Sequence, residues 1–246
     1  MFAIIGGSGL AKLAALEAPR RQVLRTPYGE PSGALTFGRL GGREIVFVAR
    51  HGYGHTIAPH EINYRANIWA LRELEVEGIY ALASVGGIRA DLAPRTLVLP
   101  HQILDYTHSR AGTFVEAGSG PVAHVDFTHP YSPALRGRLL AGAERSGERL
   151  IDGAVYACMQ GPRLETAAEI DRLERDGADV VGMTGMPEAV LAREAGIAYA
   201  SIAIVVNHAA GRGDSAQHVS LGDLEIVMRE SVARAVRILE STLESS

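Results

Sequence analysis

A single cysteine, Cys158, occurs in the 246 residues, so no disulfide can close within the chain and its fold has to rest on core burial. Neither sign of charge dominates. Twenty-four Lys plus Arg stand against 28 Asp plus Glu, a formal net charge of −4, and no long stretch is of one sign. That balance argues against binding the phosphate backbone of nucleic acid and against a polybasic membrane contact. Apolar residues make up 47% of the chain, yet no run approaches the roughly 20 residues needed to cross a bilayer. Met1 leads straight into Phe2-Ala3-Ile4-Ile5-Gly6 with no basic stretch before a long apolar one. The expectation is a soluble, cytoplasmic protein. Internal repeats and low-complexity linkers are also missing, so residues 1–246 read as one domain.

What is present is an alternation of short β-branched runs with longer helical patterns, the mark of an α/β protein. Strands are expected at Phe2–Ile5, Leu35–Phe37, Glu44–Val48, Ile79–Ser84, Thr96–Leu99, Ala154–Cys158, Asp179–Val181 and Ala198–Val206. Thr166-Ala167-Ala168-Glu169 has the form of a capping box, and Gly177 is placed to stop the helix it opens. Pro187 suits the first turn of a second helix that Gly196 ends. From Asp223 onward, Leu224, Val227, Met228, Val232, Ala235, Ile238 and Leu239 recur at helical spacing and predict a long amphipathic helix on the sheet. Arg110–Val122 reads as a loop.

Several apolar runs deliver polar groups at their ends, where ligands gather in open α/β sheets. Ile4-Ile5-Gly6-Gly7-Ser8-Gly9-Leu10 enters a glycine turn whose backbone N–H groups can approach an anion, although the dinucleotide and P-loop spacings are not met. Val48-Ala49-Arg50-His51-Gly52 presents a fork-shaped guanidinium and an imidazole, donors that suit phosphate. His51, His55 and His60 fall in a stretch broken by two glycines and a proline, so they do not share a helix face as metal-binding histidines do, and no metal is expected. Gln160-Gly161-Pro162-Arg163-Leu164-Glu165 follows another apolar run; Glu165 is either a solvent-exposed carboxylate near a helix start or a ligand acceptor. Val181-Gly182-Met183-Thr184-Gly185 and Val206-Asn207-His208-Ala209 repeat the arrangement.

In this order, IIGGSGL, ARHGYGH, NYRANIWAL, QGPRLET and DVVGMTGMPEAVLAREAGIAYASIAIVVN resemble the purine nucleoside phosphorylase and methylthioadenosine phosphorylase family over nearly the whole chain. The resemblance implies a mixed sheet forming a distorted barrel flanked by helices, a homotrimer, and no metal or organic cofactor. It also implies that inorganic phosphate, a co-substrate, attacks C1′ of a purine nucleoside to give a free base and a pentose 1-phosphate. On the matching motifs, Ser8, Arg50, His51, Ser84 and Thr184 would hold phosphate, with His51 and Asn207 acting in catalysis. Leu164, Glu165, Met183, Asn207 and Ala209 would hold the nucleoside, with Met183 under the sugar.

Family members acting on 6-aminopurines place Ser where this chain has Glu165 and Asp where it has Asn207. Hypoxanthine offers a hydrogen on N1, which anionic Glu165 can accept, and an O6 and N7 to which an amide can donate. Adenine would turn a bare N1 lone pair toward the carboxylate, a mismatch costing about 1–3 kcal/mol. At the 5′ end the resemblance places Leu221 where a hydroxyl-accepting branch has His, which favours a thioether, while His218 lies close enough to be a hydroxyl partner instead. His124 matches a position that a neighbouring subunit lends to this pocket. The expected substrate is 5′-methylthioinosine; inosine or guanosine, methylthioadenosine, and binding of a nucleoside without catalysis are the alternatives.

Overall fold

The computed structural model describes residues 1–7, 15–116, 122, 124–220, 222 and 224–244. Its strands are β1 (Phe2–Gly6), β2 (Glu17–Gln22), β3 (Leu35–Leu40), β4 (Arg43–Ala49), β5 (Ile79–Gly87), β6 (Leu97–Leu99), β7 (Gln102–Asp105), β8 (Leu150–Asp152), β9 (Val155–Cys158), β10 (Val180–Gly182) and β11 (Tyr199–His208). Its helices are α1 (Tyr64–Glu73), α2 (Pro133–Ser146), α3 (Ala167–Arg175), α4 (Gly185–Glu194) and α5 (Leu224–Glu244). Every expected strand is present, shifted by at most a few residues. The exposed edge strand β2 and the short strands β7 and β8 are additions.

The sheet is mixed. Its main path runs β2-β3-β4-β1-β5-β10-β9-β7, and β11 pairs with β5 and β6, which in turn pairs with β8. Strand β5 is the branch point: it runs parallel to β1 and β11 and antiparallel to β10. The expected mixed sheet with flanking helices is therefore observed. Hydrogen bonding among the described residues branches at β5 and leaves the sheet open, where a closed ring of strands was expected.

Alternation along the central strands builds two cores, one on each face. Ile79, Ala81, Ala83 and Val85 of β5 join Ala3 and Ile5 of β1 on the face covered by α1 and α4. Tyr80 and Leu82 join Phe2 and Ile4 on the other face, where Leu135 and Leu139 of α2 and Ile238, Leu239 and Leu243 of α5 pack. Period-2 burial on both faces explains why these strands read as nearly continuous apolar runs.

Helix starts follow local chemistry. The Asn63 side chain accepts the Ala66 N–H at α1, Ser132 accepts that of Leu135 at α2, and Thr166 with Glu169 forms the reciprocal box at α3. Gly177 at φ +90° and Gly196 at φ +73° follow the ends of α3 and α4, in the left-handed region that glycine adopts without strain.

Candidate active site

The C-terminal ends of β1, β4, β10 and β11 converge on the second half of β5 and surround a cavity of about 1210 Å³. Chain direction explains the convergence. Parallel β1, β4 and β11 all deliver their ends toward Ser84–Gly86, and antiparallel β10 brings Gly182, Met183 and Thr184 in from the opposite side. A β-bulge shifts the β11 register between Val205 and Asn207, so that Asn207 lies opposite Gly86 and faces the cavity.

Arg50, His51, Ser84, Leu164, Glu165, Met183, Thr184, Asn207 and Ala209 all line this one cavity. They come from five separate stretches of sequence. Ser8 and Leu221 lie outside the described residues. His124 is exposed and does not line the cavity of its own chain. His218 is exposed too, whereas its neighbour Val219 faces the cavity.

Arg50 follows β4 directly and is 1% exposed. Its Nε and Nη2 donate to the two oxygens of Glu188 at 2.6 and 2.8 Å, and Nη1 donates to the Leu82 carbonyl at 2.9 Å. A Cβ at Gly7 would lie 2.9 Å from Arg50 Nη1 and from the Leu82 oxygen, so glycine is required where β1 passes the guanidinium. Burial lowers the Arg50 pKa and Glu188 more than offsets this, so the group stays charged.

His51 Nδ1 lies 2.8 Å from the Ile57 carbonyl oxygen. Because that oxygen only accepts, Nδ1 carries the hydrogen and Nε2 of the neutral ring keeps a lone pair. Burial, followed by repulsion from Arg50, lowers the pKa to about 4. The His51 and His55 rings are 4.7 Å apart, and His60 is exposed. No group of three or more metal-ligating side chains is assembled among the described residues.

At the other end, Glu165 is partly buried, not the fully solvated carboxylate that its place before a helix cap permits. Burial raises its pKa; its own backbone N–H and Arg163 act in the opposite direction, and Glu169 adds to the rise. Arg163 is engaged by Glu169 at 2.7 and 2.8 Å, and among the described residues the Glu165 carboxylate has no ion pair. Asn207 Nδ2 donates to the His208 carbonyl at 2.6 Å, keeping a second N–H and Oδ1 for a ligand. Leu164 is 43% exposed at the rim. Met183 packs on Gly161, where a Cβ would lie 2.5 Å from its sulfur.

Sequence reasoning missed the residues behind this lining. The Arg110 guanidinium donates to the Met183, Met186 and Gln160 carbonyls at 2.8, 2.6 and 2.7 Å, tying together the turns that carry Glu165 and Thr184. Tyr156 OH accepts the Thr184 N–H at 3.3 Å. Met228, Val232 and Val236 of α5 add an apolar wall, alongside Arg229, Arg237 and Glu240. Of these only Met228 and Val232 had a signal in the sequence, in an amphipathic stripe that reads as core.

A family profile described as the phosphorylase superfamily matches residues 1–244. The chain belongs to that superfamily. It is 47% identical over 246 residues to a probable S-methyl-5′-thioinosine phosphorylase of Pseudomonas syringae pv. tomato, covering 100% of this chain and 99% of that protein. It is 45% identical over 241 residues to a 6-oxopurine nucleoside phosphorylase of Pyrococcus furiosus, covering 96% and 90%. The solved structure of methylthioadenosine phosphorylase from Schistosoma mansoni in complex with adenine matches with a TM-score of 0.92 at 33% identity, over 98% of this chain and 90% of that one. The superfamily is thus fixed independently of the cavity.

Proposed function

We propose that this superfamily member, acting as one domain, catalyses phosphorolysis of S-methyl-5′-thioinosine, giving hypoxanthine and 5-methylthioribose 1-phosphate, in purine salvage. The observation that carries the reading is that Glu165 and Asn207 line the same cavity as Arg50, His51 and Thr184. A carboxylate acceptor and an amide match N1–H and O6 or N7 of a 6-oxopurine, and an amide hydrogen at N7 stabilises charge building on the departing base.

Phosphate is both nucleophile and counter-charge in this scheme. Bound beside Arg50, Ser84 and Thr184, and Ser8 by the resemblance, it meets C1′ as the glycosidic bond lengthens and the sugar gains oxocarbenium character. The His51 Nε2 lone pair suits the P–OH of hydrogen phosphate, so a neutral ring orients the nucleophile without adding charge. Met183 packs under the sugar. Val219, Met228, Val232 and Val236 give the 5′ end apolar surface, and each buried methyl-sized group contributes about 0.8 kcal/mol. With His218 exposed and outside the lining, a thioether fits this end better than a hydroxyl.

A homotrimer in which a neighbour's His124 completes the 5′ end belongs to the same proposal. Inorganic phosphate is the only co-substrate it calls on, and it takes place in the cytoplasm. Phosphate-dependent base release from methylthioinosine, inosine and methylthioadenosine tests it. The first should have the highest kcat/KM; best turnover of methylthioadenosine would refute the assignment of Glu165 and Asn207.

A further inference from the structure

Arg50 reaches the phosphate end of the cavity with its charge already answered. Nε and Nη2 hold Glu188 side-on at 2.6 and 2.8 Å, and both partners are 1% exposed. Tyr199 OH donates to Glu188 Oε1 at 2.8 Å, and Nη1 of Arg50 donates to the Leu82 carbonyl. Among the described residues two N–H groups of the guanidinium remain, one on each Nη. Beside it, His51 is neutral at ordinary pH, and Ser84 and Thr184 carry no charge. Counted together with Glu188, the described groups assigned to phosphate are therefore neutral as a set, although their ligand is an anion.

We propose that Glu188 is a positioning residue that sets the charge of the phosphate site, so that hydrogen phosphate is held by hydrogen bonds and keeps its negative charge for the cationic sugar. The inference rests on the phosphorolysis reading above. An unanswered guanidinium in so buried a place would bind the dianion strongly before reaction and weaken it as a nucleophile, because attraction between charges grows as water is excluded. Binding energy realised equally in the ground state does not raise kcat. Glu188 moves that attraction inside the protein and leaves Arg50 to aim its two free N–H groups.

The test is Glu188→Gln, which keeps the shape and removes the charge. Titration of inorganic phosphate and of unreactive sulfate into the folded variant should give about tenfold tighter binding than in the wild type. KM for phosphate should fall together with kcat. Glu188→Asp, which keeps the charge on a shorter arm, should bind both anions nearly as the wild type does. If Glu188 only holds Arg50 in place, both variants bind phosphate more loosely; that result, or unchanged affinity in Glu188→Gln, overturns the proposal. Should Glu188→Gln be too unstable to titrate, the rise of Tm with sulfate reads the same quantity: a larger rise than in the wild type supports the proposal, and an equal or smaller one overturns it. A wild type that binds neither anion would refute the phosphorolysis reading as well, whereas anion binding in the wild type without tightening in the variant refutes the role of Glu188 alone.

Discussion

In the proposed reading Asn207 and Glu165, which line the same cavity, take opposite hydrogen-bonding roles toward the base, one giving a hydrogen and the other taking one, and selection between purines is argued from that pair. Exchanging Asn207 for Asp removes the donor to O6 or N7. Methylthioinosine should lose roughly 1–3 kcal/mol of transition-state stabilisation relative to methylthioadenosine, read as the ratio of their kcat/KM values. An unchanged ratio would place discrimination in other contacts. If ionised Glu165 accepts N1–H, as proposed, oxopurine turnover should be present above its pKa and decline as pH falls through it. Because burial raises that pKa above the ordinary 4.5, the acid limb should lie above the usual carboxylate range and should vanish in Glu165→Gln. His51, lowered to about 4 by burial and by Arg50, is neutral at ordinary pH. At this scale the sequence motifs announce Arg50, His51, Thr184 and Asn207, because each ends an apolar strand. Glu188 and Arg110 are silent: their partners are protein atoms, and the Arg50–Glu188 pair spans 138 positions, so no local spacing reveals it.

Among elements, the turns that carry the site owe their shape to close contacts. At Gly182 a Cβ would lie 2.2 Å from Tyr156 OH, and Arg110 ties the neighbouring turns by their carbonyls. Replacing Arg110 with Met leaves those carbonyls without a donor. The nucleoside KM should rise tenfold or more, on the order of 1–3 kcal/mol, while phosphate affinity changes less; equal losses on both ligands would contradict this role. Helix α3, which follows the turn that brings Glu165 to the cavity, starts at its capping box. Thr166→Ala should lower stability by about 1 kcal/mol in urea unfolding. Hydrogen bonding from Arg163, then from the Thr166 N–H, depresses Glu169 to about 2, so its contribution is complete above pH 4.5 and disappears as pH falls toward 2. The box, Gly177, Gly196 and the buried strands were legible because each is a local signal. Strand β2 was not, since all six of its residues are exposed and show no alternation. The strands β7 and β8 mix apolar with polar residues and are only partly buried, whereas the equally short β6 and β10 are fully buried and read as apolar runs. Topology was legible only as mixed α/β; branching at β5 depends on pairings between distant strands.

For the whole molecule, opposing sheet faces fill two cores while converging strand ends leave one large cavity whose two ends differ in chemistry. The trimer is implied by the resemblance, and in the proposed reading His124, exposed on its own chain, is lent to a neighbour's 5′ pocket. Light scattering should give three times the monomer mass, and His124→Ala should raise KM for methylthioinosine more than for inosine; a monomer with full activity would contradict the shared site. The claim on which the rest depends is that phosphate and a 6-oxopurine nucleoside occupy that cavity together and react. The most direct measurement is release of hypoxanthine from methylthioinosine with and without inorganic phosphate. Release that requires phosphate and yields 5-methylthioribose 1-phosphate in equal amount is predicted; release without phosphate, or none with it, would contradict the account.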